Sequence, residues 1–150
     1  MVRLCMRYTK NEEDAVEVLN NGFLKVFRNI QRYEPGKASL YTWIRTIVIN
    51  SCLDFIKSRQ HIEPYKELDE TVHIPSEVIH KMKADELLQL IRKLPPATQA
   101  VFNLYVIEGY GHKEIGLLLG ISEGTSKWHL NEARQRLQKM IRSQEINSHG

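Results

Sequence analysis

At 150 residues, 42% hydrophobic and 26% charged, the chain lies in the range of folded globular proteins and outside that of disordered ones. No apolar run approaches the ~20 residues that span a bilayer, and no secretory segment opens the chain, so a cytoplasmic protein without membrane insertion is expected. The net charge of +3 conceals a pattern: residues 1–60 hold 10 Lys/Arg against 6 Asp/Glu, residues 61–86 hold 3 against 7, and residues 87–150 hold 8 against 5. Two basic blocks around an acidic one imply two polyanion-facing modules on a connector of opposite sign.

No alternating strand pattern occurs, whereas helical spacing recurs, which predicts an all-α protein. Thr9 and Glu12 have the spacing of a capping box. The apolar series Ala15/Val16, Leu19, Phe23, Val26/Phe27 and Ile30 follows along one side of a long helix. Tyr33-Glu34-Pro35-Gly36 ends that helix. Ser39 can cap the next, whose apolar positions are Leu40, Trp43, Ile44, Ile47, Val48, Cys52, Phe55 and Ile56. Its other side carries the polar stripe Thr42, Thr46, Asn50, Asp54 and Lys57. Cys5 and Cys52, the two cysteines, are distant in sequence and read as reduced thiols.

From His61 the periodicity fails. The segment "HIEPYKELDETVHIPSE" has two prolines, several acids and no stripe, and reads as a flexible linker over residues 61–80. Helical spacing then returns. Leu87, Leu88, Leu90, Ile91 and Leu94 precede Pro95-Pro96; Val101, Phe102, Leu104, Tyr105 and Ile107 run to Gly109; Ile115 and Leu117 to Leu119 run to Gly120. The last stripe is Leu130, Ala133, Leu137, Met140 and Ile141. Each block is small, so each core is marginal alone.

The stretch "EIGLLLGISEGTSKWHLNEARQRL" has the form of a helix-turn-helix. Gly120 supplies a left-handed C-terminal residue, Ile121 fills the angle, Ser122 caps the second helix, and Gly116 is small where the helices approach. The core stripe of the second helix leaves Lys127, Trp128, Asn131, Arg134 and Gln135 pointing away. Cations for phosphates and amide or cationic groups for base edges are what a DNA-reading helix presents. Against this, Ser126 is polar where such turns commonly hold an aliphatic, and Glu132 is a carboxylate on the face meant for DNA. The six histidines, His61, His73, His80, His112, His129 and His149, have no zinc-like spacing. Without a nucleophile elbow or a phosphate-cradling glycine loop either, no catalytic residue, metal or cofactor is expected.

In order, "YTKNEEDAVEVLNNGFLKVFRNIQRY", "SLYTWIRTIVINSCLDFIKSR" and "LPPATQAVFNLYVIEGYGHKEIGLLLGISEGTSKWHLNEARQRL" resemble an extracytoplasmic-function (ECF) sigma factor of the bacterial sigma-70 family. The most specific parts are Leu94-Pro95-Pro96, the turn from Gly120 to Thr125, and the Tyr41-Thr42-Trp43 helix that reaches Asn50 and Asp54. The resemblance implies two small helical domains: sigma region 2 over residues 1–60, and sigma region 4 over 81–145 with its helix-turn-helix at 112–139. It implies a subunit that binds core RNA polymerase, reads the −10 and −35 promoter elements, helps open the duplex and is held by an anti-sigma factor. The polymerase supplies the chemistry.

Carried over by position, Lys127, Trp128 and Asn131 face the −35 element in the major groove. His129 and Arg134 lie near phosphates, as do His112 and Lys113 on the first helix of the pair. Asn50 contacts the −10 element, and the 33–39 segment resembles the loop that holds a flipped base. Asn20, Asn21, Leu24 and Phe27 lie on the helix that grips the largest polymerase subunit. The family has a further helix before the present start, so the first helix of region 2 is expected to be missing. Asn20-Asn21 replaces a Gln-Glu pair, and His129, Asn131 and Glu132 stand at commonly basic or aromatic positions, which implies weak binding to free DNA. Two other readings compete: a helix-turn-helix regulator binding an operator without sigma activity, and a helical adaptor.

Overall fold

The computed structural model describes residues 1–59 and 82–148, and the described residues are helical with no strand. The chain divides into two compact units, Met1–His61 and Ile62–Gly150. The predicted linker, residues 61–80, lies outside the described residues.

The first unit holds α1 (Val2–Met6), α2 (Glu12–Asn29) and α3 (Leu40–Arg59). The five residues of α1 are too few to show a helical period. It packs on both longer helices and buries Leu4 and Cys5, with Tyr8 and Thr9 buried just beyond it. The expected Thr9–Glu12 capping box does not form. Thr9 is drawn into the core, where its hydroxyl donates to the Cys5 carbonyl at 2.9 Å and closes the end of α1. Asn11 caps α2 instead: its Oδ1 accepts from the Asp14 N–H at 2.8 Å, and its amide donates back to the Asp14 carboxylate at 3.1 Å. Glu12, Glu13 and Asp14 place negative charge where the helix dipole favours it.

The buried side of α2 is Ala15, Val18, Gly22 and Val26, rotated from the predicted stripe, so that Val16, Phe27 and Ile30 are exposed. Gly22 explains the rotation. A Cβ there would stand 3.2 Å from Val48 Cγ2, so the two helices make their close approach through a position that carries no apolar side chain. Ser39 caps α3 as expected, its Oγ accepting from the Thr42 N–H at 3.1 Å. In α3, Val48, Ile49, Cys52, Leu53 and Ile56 are buried, while Leu40 and Phe55 of the predicted stripe are exposed and half-buried. Cys5 and Cys52, distant in sequence, meet in this core as free thiols with no exposed surface. A hydrogen bond between them holds Cys5 below the ordinary thiol range and, with burial, pushes Cys52 above it.

In the second unit, α4 (Ala84–Arg92) and α5 (Pro96–Phe102) are joined through Leu94 and Pro95, with Pro96 at a position where its missing N–H costs nothing. A π-helical turn, Asn103–Ile107, continues α5 and carries Tyr105; Gly109, at φ 79°, ends it. Then come α6 (His112–Leu119) and α7 (Glu123–Ser148). The core is Leu90, Ile91, Leu94, Val101, Phe102, Leu104, Ile115, Leu119, Leu130, Ala133, Leu137 and Ile141. Each large side chain among these contributes about 1.5–3 kcal/mol by leaving water. Leu117, read with the apolar run of α6, is 81% exposed.

Candidate nucleic-acid interface

The α6–turn–α7 segment is built as the glycines imply. Gly120 sits at φ 69°, in the left-handed region that lets α6 stop abruptly. The Ile121 N–H donates to the Gly116 carbonyl at 3.0 Å. The close approach at Gly116 is to this turn: a Cβ there would lie 2.6 Å from the Ile121 carbonyl oxygen. Ser122 caps α7, its Oγ accepting from the Thr125 N–H at 3.1 Å.

The structure sorts the predicted recognition residues into two sets. Lys113 and Lys127 are exposed, and His112, Trp128, Arg134 and Gln135 are half-buried at the surface. His129 and Asn131 are buried, at 3% and 6% exposure. His129 is therefore no phosphate ligand in this arrangement. It lies on the side of α7 that packs on α5, and its Nδ1 is 3.0 Å from the buried Thr98 hydroxyl. The Trp128 ring meets His129 edge-on at 4.9 Å, so its half-burial is packing on that joint. Asn131 likewise does not point away as expected. The Glu132 carboxylate accepts from Arg136 Nε at 2.8 Å, which neutralises the charge that counted against DNA.

Ser126, the polar departure in the turn, has a partner that sequence reasoning missed. It is fully buried, and its Oγ lies 2.8 Å from His112 Nδ1. The His112 ring also stacks on Tyr105, centroids 4.5 Å apart and planes 20° apart. Burial, with Lys127 and Arg134 beside it, holds the imidazole below its ordinary range, Glu123 pulling the other way. The signal for this cluster was in the sequence: a serine where packing favours an aliphatic.

In the first unit, Thr42, Thr46, Asn50, Asp54 and Lys57 form an exposed stripe on α3, as expected. Asp54 is joined to Lys25 of α2 at 3.2 Å. Tyr33 closes the loop before α3 by donating to the Ala38 carbonyl at 2.9 Å, and its ring rests 5.5 Å from that of Trp43. Asn20, Asn21, Leu24 and Phe27 are all exposed on α2, Phe27 at 73%. Beside them the α2–α3 groove encloses about 370 Å³, lined by Asn21, Leu24, Arg28, Asp54 and Phe55 among others.

Two family profiles match this chain: Sigma-70 region 2 over residues 1–62, and Sigma-70, region 4 over residues 84–137. The chain belongs to the sigma-70 family. Its relatives there place it in the ECF group. It is 32% identical over 146 residues to the ECF RNA polymerase sigma factor SigE of Mycolicibacterium smegmatis, covering 93% of this chain and 56% of SigE. It is 27% identical to the RNA polymerase sigma factor CarQ of Myxococcus xanthus, covering 93% of this chain and 82% of CarQ. Among solved structures it is similar in fold, at TM-score 0.60 and 15% identity, to the sigma factor RpoE of Bartonella quintana, solved in complex with the anti-sigma factor NepR. That match covers 94% of this chain and 89% of RpoE. The sigma-70 assignment gives the two units their names, region 2 and region 4. Among the described residues no helix is long and apolar enough to cross a membrane, and no group of three metal-ligating side chains occurs.

Proposed function

We propose that this chain acts in the cytoplasm as an ECF sigma factor, directing core RNA polymerase to promoters through a −35 and a −10 contact and helping to open the duplex. The observation that carries the reading is the pairing of a region 2 unit with a region 4 helix-turn-helix in one short chain. On the −35 element, Lys127 and Trp128 would enter the major groove from α7, with Gln135 beside them, while Arg134 of α7 and Lys113 and His112 of α6 hold phosphates. On the −10 element, Asn50 would contact a base, and the 33–39 loop would hold one flipped from the stack. Asn20, Asn21, Leu24 and Phe27 would meet the polymerase: two amides and two exposed apolar side chains are the anchor-and-rim mixture of a protein interface. The polymerase carries out the chemistry, and this chain needs no metal, cofactor or catalytic residue for the role. Joining two modest DNA contacts through the polymerase raises the effective concentration of each for its element. An anti-sigma factor is the expected regulator, as RpoE has in NepR.

The test is transcription in vitro with core polymerase across a promoter library. A recurrent upstream and downstream motif pair is expected, with initiation lost in Lys127→Glu and reduced in Asn50→Ala. Initiation at no promoter, or operator binding that ignores polymerase, would defeat the reading.

A further inference from the structure

We propose that Ser126 is a positioning residue, whose buried hydroxyl fixes His112 as the neutral Nε2–H tautomer so that the outward N–H donates to a promoter phosphate. This rests on the −35 role of region 4 given above.

The argument starts from the hydroxyl. Ser126 has no exposed surface, and among the described residues the partner of its Oγ is His112 Nδ1, at 2.8 Å. A buried O–H left without an acceptor costs about 1–3 kcal/mol. The hydroxyl therefore donates and Nδ1 accepts. A neutral imidazole that accepts at Nδ1 carries its hydrogen on Nε2. The ring is half-buried at the surface, and among the described residues its hydrogen-bond partner is Ser126 at Nδ1, which leaves Nε2 to serve a ligand.

Protonating the ring would make Nδ1 a donor, and the hydroxyl, turned to accept across the 2.8 Å contact, would leave its own buried O–H without an acceptor among the described residues. The surroundings act in the same direction. Tyr105, stacked on one face, presents no charge; Lys127 and Arg134 from α7 oppose a third cation, and Glu123 only partly offsets them. Lys113 follows on the ring's own helix. Phosphate contacts fix the register of a recognition helix, and a neutral N–H held in one plane makes such a contact without taking up a proton. This also accounts for a serine where an aliphatic residue would have packed at no polar cost.

The test uses the full chain. Nitrogen-resolved NMR of the His112 ring near pH 7 should show a protonated Nε2 and a bare Nδ1; the opposite tautomer, or an imidazolium, overturns the proposal. In Ser126→Ala the ring should populate both tautomers and titrate higher. Binding to a promoter duplex, selected beforehand by transcription with this chain and core polymerase, should then tighten as pH falls from 8 to 6. The expected change is roughly tenfold for each unit by which the phosphate raises the ring's pKa. The wild type should stay nearly flat over that range, and Ser126→Thr, which keeps the hydroxyl, should behave as wild type. A purely structural serine would move stability but neither the tautomer nor the pH profile. If the wild type initiates normally and His112→Ala binds the duplex as tightly, the phosphate role falls while the sigma reading stands. If the wild type initiates nowhere, both fall.

Discussion

Replacing Gly116 by alanine tests whether the turn of the helix-turn-helix is as tightly built as its geometry implies. The added Cβ would lie 2.6 Å from the Ile121 carbonyl oxygen, a backbone atom that cannot rotate away. That oxygen belongs to the residue whose N–H closes the turn onto the Gly116 carbonyl at 3.0 Å. Overpacking of this kind costs about 1–3 kcal/mol, and weakening the hydrogen bond adds about 1 kcal/mol. Against this, alanine is the better helix former by about 1 kcal/mol. The net is a loss of roughly 2 kcal/mol, which in a domain of this size lowers the midpoint by about 8–16 °C. Gly120 is the control. A Cβ there meets nothing within 4 Å, so Gly120→Ala costs only the left-handed backbone, about 1–2 kcal/mol. The assay is thermal or urea unfolding in a Trp43→Phe background, where Trp128 alone reports on region 4. A Gly116→Ala variant as stable as its parent, or more so, would show that helix propensity wins and that the close approach constrains nothing.

Other outcomes follow from the same contacts. His129→Ala should destabilise region 4 by about 2–4 kcal/mol, through a cavity and an orphaned Thr98 hydroxyl, while Lys127→Glu should leave the melt unchanged and abolish −35-dependent initiation; equal melts for the two would refute the division of α7. The depressed His112 pKa has a definite sign. The unfolded ring binds a proton near pH 6.5 while the folded ring resists it, so this stabilisation is complete above that pH and declines below it. His112→Gln should flatten that part of the pH–stability curve, and an unchanged slope would exclude the assignment. Asn11→Ala removes the cap of α2 and should cost region 2 about 1 kcal/mol in urea unfolding, whereas Thr9→Ser, which keeps the hydroxyl bond to Cys5, should cost less.

The helices were legible because their apolar spacing and punctuation agree: Ser39, Gly120 and Ser122 each occupy the capping or terminating position their chemistry suits. Faces were less legible. The stripe of α2 was misread by part of a turn, because the helix turns a glycine, which has no hydropathy to count, toward α3. A helix as short as α1 has too few positions to show a period. On α7, His129 and Asn131 read as surface because polar side chains are assigned outward by default; Thr98, the partner of the buried His129 imidazole, comes from α5, some thirty residues earlier. The meeting of Cys5 with Cys52 was invisible for the same reason. The stripe of α3 and the outward cations of the helix-turn-helix needed no tertiary partner to be placed, and they stand where the spacing put them.

The division of α7 bears on any attempt to retarget the protein. On the proposed reading, a designer rewriting its promoter choice would have a short alphabet, the side chains at 127, 128 and 135, with 128 already constrained by the ring beneath it. Residues 126, 129 and 131 are masonry: grafting another factor's letters there would shift the wall that holds the reading surface upright, and an inactive chimera would say nothing about base preference.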